Sequence, residues 1–134
     1  MTATDAIFIV DDDPIAVFGI QRMLQSLYPE RPVFTFANGK QALDTVKAAL
    51  ASGHGLPEVI FLDINMPIMD GWQFLEAFIR LPIAIPIRVN IVTSSIDPFD
   101  YNQWQHFKSR SRHIIDFRNK PIRREELAAI TRAA

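Results

Sequence analysis

The residues with chemical capacity stand where apolar runs stop. Ala6–Val10 ends on Asp11, Asp12 and Asp13, and Val59–Leu62 ends on Asp63. Val89–Thr93 closes on the hydroxyls Thr93, Ser94 and Ser95, and Ile114–Phe117 is followed shortly by Lys120-Pro121. Carboxylates gathered in one small pocket repel one another and have raised pKa values. A hard divalent cation relieves that repulsion. Mg2+ suits the role because it takes oxygen ligands, keeps some of its waters and accepts phosphate oxygens. A hydroxyl and an ammonium on the other side of Asp63 could neutralise the oxygens of a transferred phosphoryl group. A carboxylate can itself be the nucleophile and become an acyl phosphate.

Other polar residues have a structural explanation. Asp13 could be a further ligand, but it precedes Pro14 and reads better as a helix N-cap. Asp70-Gly71 likewise reads as a helix start. Met66-Pro67 shapes the loop after Asp63. His54, His106 and His113 are scattered without metal-ligand spacing, and the chain has no cysteine, so thiolate sites and disulfides are excluded.

The elements that must position these groups alternate. Ala6–Val10 reads as a strand. Val17, Ile20, Leu24 and Leu27 then recur at helical spacing up to Pro29. Val33–Ala37 is a second strand. Asn38-Gly39 opens a helix with Leu43, Val46 and Leu50 on one face, stopped by Gly53. Val59–Leu62 is the third strand, followed by a helix from Asp70-Gly71 that carries Phe74, Leu75 and Phe78. Val89–Thr93 is the fourth strand, with a helix from Pro98 to about Ser109. Ile114–Phe117 is the fifth strand, and Pro121 begins a last helix with Leu127 and Ile130. The pattern is (βα)5. The first and third strands are apolar throughout, as strands covered on both faces are. This predicts an α/β fold with a parallel sheet and right-handed crossovers. In such a sheet ligands bind beyond the carboxyl ends of the strands, where these polar groups lie.

Length and composition bound the answer further. A chain of 134 residues, 49% apolar and 22% charged, suits one globular domain. The expectation is a single domain over residues 1–134 with no output domain. The start, MTATDAIFIVDDD, lacks the basic region of a signal peptide, and no apolar run reaches membrane-spanning length. A soluble cytoplasmic protein is expected, without membrane contact. The net charge is −1, so no global field selects nucleic acid, and no direct nucleic-acid binding is expected. Beyond Gln105, however, Lys108, Arg110, Arg112, Arg118, Lys120, Arg123, Arg124 and Arg132 outnumber Asp116, Glu125 and Glu126. A basic C-terminal face is expected, in the first instance as solvated surface.

Four of these segments together, IFIVDDDP, VIFLDINMPIMDG, IVTSS and NKP, resemble the receiver domain of two-component response regulators. The resemblance covers essentially the whole chain in the right order, and is to the CheY-like single-domain type. It implies a doubly wound, flavodoxin-like three-layer sandwich with strand order 2-1-3-4-5. It implies that Asp63 accepts a phosphoryl group from a histidine kinase or histidine phosphotransfer protein. Asp11 and Asp12 would hold Mg2+ with Asp63, Asp12 directly and Asp11 through water, and Asn65 would add its backbone carbonyl. Thr93 and Lys120 would contact the phosphoryl group, and Ser95 would influence how fast it is lost. Thr93 and Phe117 would form the switch. Phe117 stands where the family often has Tyr, so a hydroxyl contact is lost, and core packing explains it equally well. A homodimer through the fourth helix, fifth strand and fifth helix would also be in keeping with the family. The kinase, the downstream protein target and the signal are not legible.

The segment DPFDYNQWQHFKSRSRH is long for a chemotaxis-type receiver. Tyr101, Trp104 and Phe107 could face a partner, but burial of Trp104 and Phe107 against the sheet is the favoured reading. Competing functions weigh less. Haloacid-dehalogenase-type phosphatases need a second acid two residues after the nucleophile, and here that position is Asn65. The chain is therefore expected to be no enzyme beyond assisting its own phosphorylation and dephosphorylation. The alternative is a phosphorylation-independent interaction module on the same fold.

Overall fold

A computed structural model describes residues 5–131. The elements run β1 (Ile7–Val10), α1 (Pro14–Leu27), β2 (Val33–Phe36), α2 (Gly39–Ser52), β3 (Val59–Leu62), α3 (Gly71–Phe78), β4 (Arg88–Thr93), α4 (Pro98–Arg110), β5 (Ile114–Asn119) and α5 (Arg124–Ile130). The five strands form one parallel sheet in the order β2-β1-β3-β4-β5. This is the expected doubly wound topology.

Burial follows from that order. Every residue of β1 and β3 is buried, because both strands lie inside the sheet and carry helices on both faces. One core lies between the sheet and α2, α3 and α4, around Phe8, Phe74, Phe78 and Phe107. The other lies under α1 and α5, around Ile7, Ile9, Phe61, Leu24 and Leu127. Three layers result. Phe107 buries as favoured in the first core, while Trp104 is only half-buried against it, its indole N–H donating to Ile115 O at 2.7 Å.

Local chemistry fixes the helix starts. Asp13 caps α1 by accepting the Ile15 N–H at 3.0 Å, with Pro14 in the first turn. Asn38 caps α2 by accepting from Gln41 N–H. Asp70 and Gln73 exchange side-chain and backbone bonds in a reciprocal capping box at α3. Asp97 caps α4. α2 ends at Gly53 in the left-handed region, φ 86°.

The last helix starts later than Pro121. The Lys120 N–H still donates to Thr93 O at 2.9 Å, which holds the chain against the sheet, and Ile122 is then buried in the α1–α5 core. The chain turns outward only afterwards, and α5 begins at Arg124. The expected basic face is divided among several elements. Arg110 approaches Glu76 on α3, Arg112 donates to Ile83 O, Arg124 donates to Ser26 on α1, and Lys120 turns to the acids. Each of these four cations has a separate local acceptor. Arg132 lies outside the described residues, as does the start of the chain up to Thr4.

His113 locks the β4–β5 end of the sheet that lies away from the acids. It is buried, its Nδ1 accepts the Ile87 N–H at 2.9 Å, and its ring lies 4.9 Å from that of Phe78. Burial first, and the Arg112 charge second, lower its pKa to about 4. The unfolded chain therefore binds this proton more readily between about pH 6.5 and 4, and stability falls as pH falls through that window. The full effect is about 3 kcal/mol. Urea unfolding at pH 7, 5.5 and 4.5 should show a steeper loss for the wild type than for His113→Gln. Parallel pH slopes would sink this account.

Candidate functional site

Parallel order places the ends of β1, β3 and β4 side by side, so the residues that follow them share one edge. Asp11 follows β1 and Asp63 follows β3, and the two strands are paired from Ile7↔Val59 to Val10↔Leu62. The Asp63 N–H donates to Val10 O at 2.9 Å, which extends that ladder to Asp63. Asp11 and Asp63 are buried, at 6% and 7% exposure, while Asp12 is exposed. One carboxylate oxygen from each of Asp11, Asp12 and Asp63 lies within 4.8 Å of the others. This is the group of three acids that the sequence predicted, converging as expected.

Lys120 is the countercharge. Its Nζ lies 2.9 Å from Asp11 Oδ2 and 3.6 Å from Asp63 Oδ2. It is thus bound more closely to Asp11, whereas sequence reasoning paired it with a group on Asp63. The other Asp63 oxygen, Oδ1, accepts the Ile64 N–H at 2.8 Å. The Asn65 backbone N–H also faces this carboxylate. Asn65 itself is exposed.

The electrostatics agree with the geometry. Burial, and then the Asp11 charge, push the Asp63 carboxyl above the usual carboxylate range. Lys120 and the Ile64 and Asn65 N–H groups offset this only in part. For Lys120, burial acts to lower the pKa. The Asp11 hydrogen bond and the charges of Asp63, Asp11 and Asp13 outweigh it, so the ammonium is held above its ordinary value. One ammonium against three carboxylates leaves a deficit of positive charge. Hard oxygen donors at this spacing, with the pKa of one of them raised by burial and by its neighbour Asp11, fit a hard divalent cation such as Mg2+. Asp11, Asp12 and Asp63 would hold it. Asp13 is taken up in capping α1.

Thr93 and Phe117 frame the far side. Thr93 is fully buried at the end of β4, and its Oγ1 accepts the Ser95 N–H at 3.1 Å. Phe117 pairs with Ile91 in the ladder and is partly buried. Its ring lies 5.8 Å from Trp104 and 6.2 Å from Tyr101, so it belongs to an aromatic cluster with α4.

Two features were missed from sequence. Ser95 does more than line the loop: its Oγ donates to Asp100. Gly71 is a steric requirement of the site. A Cβ there would lie 2.5 Å from Asp63 O and 2.8 Å from Ile64 Cα, and the Gly71 N–H donates to Ile64 O at 3.1 Å. The start of α3 is thus pressed against the backbone of Asp63 and Ile64, and only glycine permits it. The dipeptide Asp70-Gly71 was the available signal, but a helix start alone explained it.

Comparisons with known proteins agree with this arrangement. A family model described as response regulator receiver domain matches residues 7–132. An uncharacterized response regulatory protein of Vibrio cholerae is 28% identical over 130 residues, covering 96% of this chain and 44% of that protein. The chain spans less than half the length of the first curated relatives it matches. Among solved structures, a two-component response regulator from Legionella pneumophila superposes with TM-score 0.78 at 22% identity, covering 95% of each chain. A CheY-like receiver domain protein from Methanospirillum hungatei gives TM-score 0.71 at 24% identity, covering 94% of this chain and 90% of the other.

Two outcomes are expected at this site. A raised folded pKa means that ionised Asp63 costs stability above its unfolded pKa, and that this cost fades as pH falls through the folded value. In EDTA at pH 7, Asp63→Asn should therefore melt a few degrees above the wild type, and the gap should close in saturating Mg2+. A lower melting point in EDTA would refute it. Gly71→Ala should lose about 1–3 kcal/mol in urea unfolding from forced overpacking; an unchanged midpoint would refute the close approach.

Proposed function

We propose that this chain, which belongs to the response regulator receiver domain family, works as a phosphorylation switch with Asp63 as acceptor. The observation that carries the reading is the placement of one buried carboxylate, Asp63, within reach of Lys120 and of two further acids at the carboxyl edge of the sheet. An isolated buried acid would simply stay protonated; this one is surrounded by groups that suit a transferred anion.

The donor is a phosphohistidine on a histidine kinase or a histidine phosphotransfer protein. An Asp63 oxygen attacks phosphorus and the P–O bond forms. The P–N bond breaks, and the imidazole keeps the electron pair and takes up a proton. The product is an acyl phosphate on Asp63. Asp11, Asp12, Asp63 and the Asn65 carbonyl would hold Mg2+, which would supply positive charge against the phosphoryl oxygens. Lys120, already poised between Asp11 and Asp63, turns to the new anion, which carries more charge than either acid. The Thr93 hydroxyl donates to it from the end of β4.

Movement of Thr93 frees space beside Phe117, whose ring already contacts Trp104 and Tyr101 of α4. The α4–β5 surface is thereby made to depend on phosphorylation, and a protein target reads it. The cytoplasm is where such donors operate, and no helix among the described residues is long and apolar enough to cross a membrane. Catalysis is confined to the domain's own phosphorylation and dephosphorylation.

Intact mass after incubation with Mg2+ and acetyl phosphate tests the reading. The wild type should gain one phosphoryl group; Asp63→Asn, and the wild type in EDTA, should gain none. Lys120→Ala should slow the gain on the order of 100-fold. Thr93→Ala should still be phosphorylated, but the Trp104 indole resonance, which shifts in the phosphorylated wild type, should stay in place. A folded, Mg2+-binding wild type that takes no phosphoryl group from small donors or kinases would point instead to a phosphorylation-independent interaction module.

A further inference from the structure

The carboxylate of Asp100, in the first turn of α4, holds two partners on different elements. One oxygen, Oδ2, accepts from Ser95 Oγ in the β4–α4 loop. The other, Oδ1, accepts the Trp72 indole N–H of α3 at 2.9 Å. Trp72 also stacks on Phe107 of α4, with ring centroids 5.8 Å apart and planes 3° from parallel. Ser95 is tied further: its Oγ accepts the Asp97 N–H at 3.2 Å, and its N–H donates to Thr93 Oγ1 at 3.1 Å. A continuous run of hydrogen bonds therefore leads from the Thr93 hydroxyl through Ser95 and Asp100 to Trp72.

We propose that Asp100 is a positioning residue for the phosphoryl site: it clamps Ser95 to α4 and, through Trp72, to α3, so that the Thr93 hydroxyl is held in its resting place. This rests on the reading of Asp63 as phosphoacceptor. If Thr93 is to approach a phosphoryl group on Asp63, it must leave the Ser95 N–H or draw Ser95 with it. Ser95 can follow only by loosening its bond to Asp100, which is charge-assisted and among the stronger kinds. Asp100 thus opposes the switched state, and its two-sided attachment makes α3 as well as α4 resist the movement. The apparent affinity of such a switch for its phosphoryl ligand is reduced to the fraction of time it spends in the switched state.

The test uses beryllium trifluoride with Mg2+ as a phosphoryl stand-in on the whole chain, titrated by NMR. Asp100→Ala should bind it about tenfold more tightly than the wild type. Asp100→Asn can accept from Trp72 and donate to Ser95 Oγ, so it should stay within about twofold of the wild type. Trp72→Phe keeps the stack but frees one side of the carboxylate, and should shift the affinity in the same direction by about two- to threefold. A purely structural role would lower the melting temperature without tightening the ligand. Unchanged or weaker binding in Asp100→Ala overturns the proposal, as does Asp100→Asn behaving like Asp100→Ala. If Asp100→Ala does not fold, Trp72→Phe decides. Normal wild-type binding with unaltered variants rejects the clamp alone, whereas a wild type that takes up no beryllium trifluoride removes the Asp63 reading and the clamp with it.

Discussion

One ammonium set against three carboxylates governs this molecule. Lys120 reaches Asp11 and Asp63 because β5 is hydrogen-bonded to β4 up to Asn119, and the Lys120 N–H continues the ladder to Thr93 O. The acids meet because β1 and β3 are neighbours in a parallel sheet, which delivers both chain ends to one edge. Partial burial keeps water from screening the repulsion. The surrounding fold therefore has to hold like charges together, and it does so with two cores that leave both central strands with no freedom to slide.

This imbalance also explains why the site suits a divalent cation. A fully neutralised cluster would have no use for further cations, and a fully exposed one would be screened by solvent. Here a single Lys120 is shared between two acids, so its attachment can change without the loss of all its partners. The pocket is poised between arrangements of charge rather than settled in one.

Much of this was legible in the sequence because the signals are local. Asp11, Asp12, Asp63 and Thr93 stand at the ends of apolar runs and Lys120 shortly after one, and a parallel sheet turns that one-dimensional fact into a shared location. Asp13 and Asp70 announce helix starts by type and position. What escaped were relations between residues far apart in the chain. The Gly71 contact with Asp63 O depends on how α3 returns to the sheet. The Trp72–Asp100 bond depends on the crossing of α3 and α4. The late start of α5 depends on Ile122 finding room under α1 and α5, which no spacing of residues reveals. The service of His113 to the Ile87 N–H is likewise invisible without the fold.

The contact at Gly71 has a bearing on how this sequence can vary. A residue with no side chain and no chemistry of its own stands against the carbonyl of Asp63. In a library of all single replacements selected for a folded chain, position 71 would be among the least tolerant, although its residue has no side chain. Sites of this kind set the inheritance of a protein as firmly as its reactive groups do, since a lineage can drift at the helix surface while the two backbones pressed together behind the acid leave it a single letter.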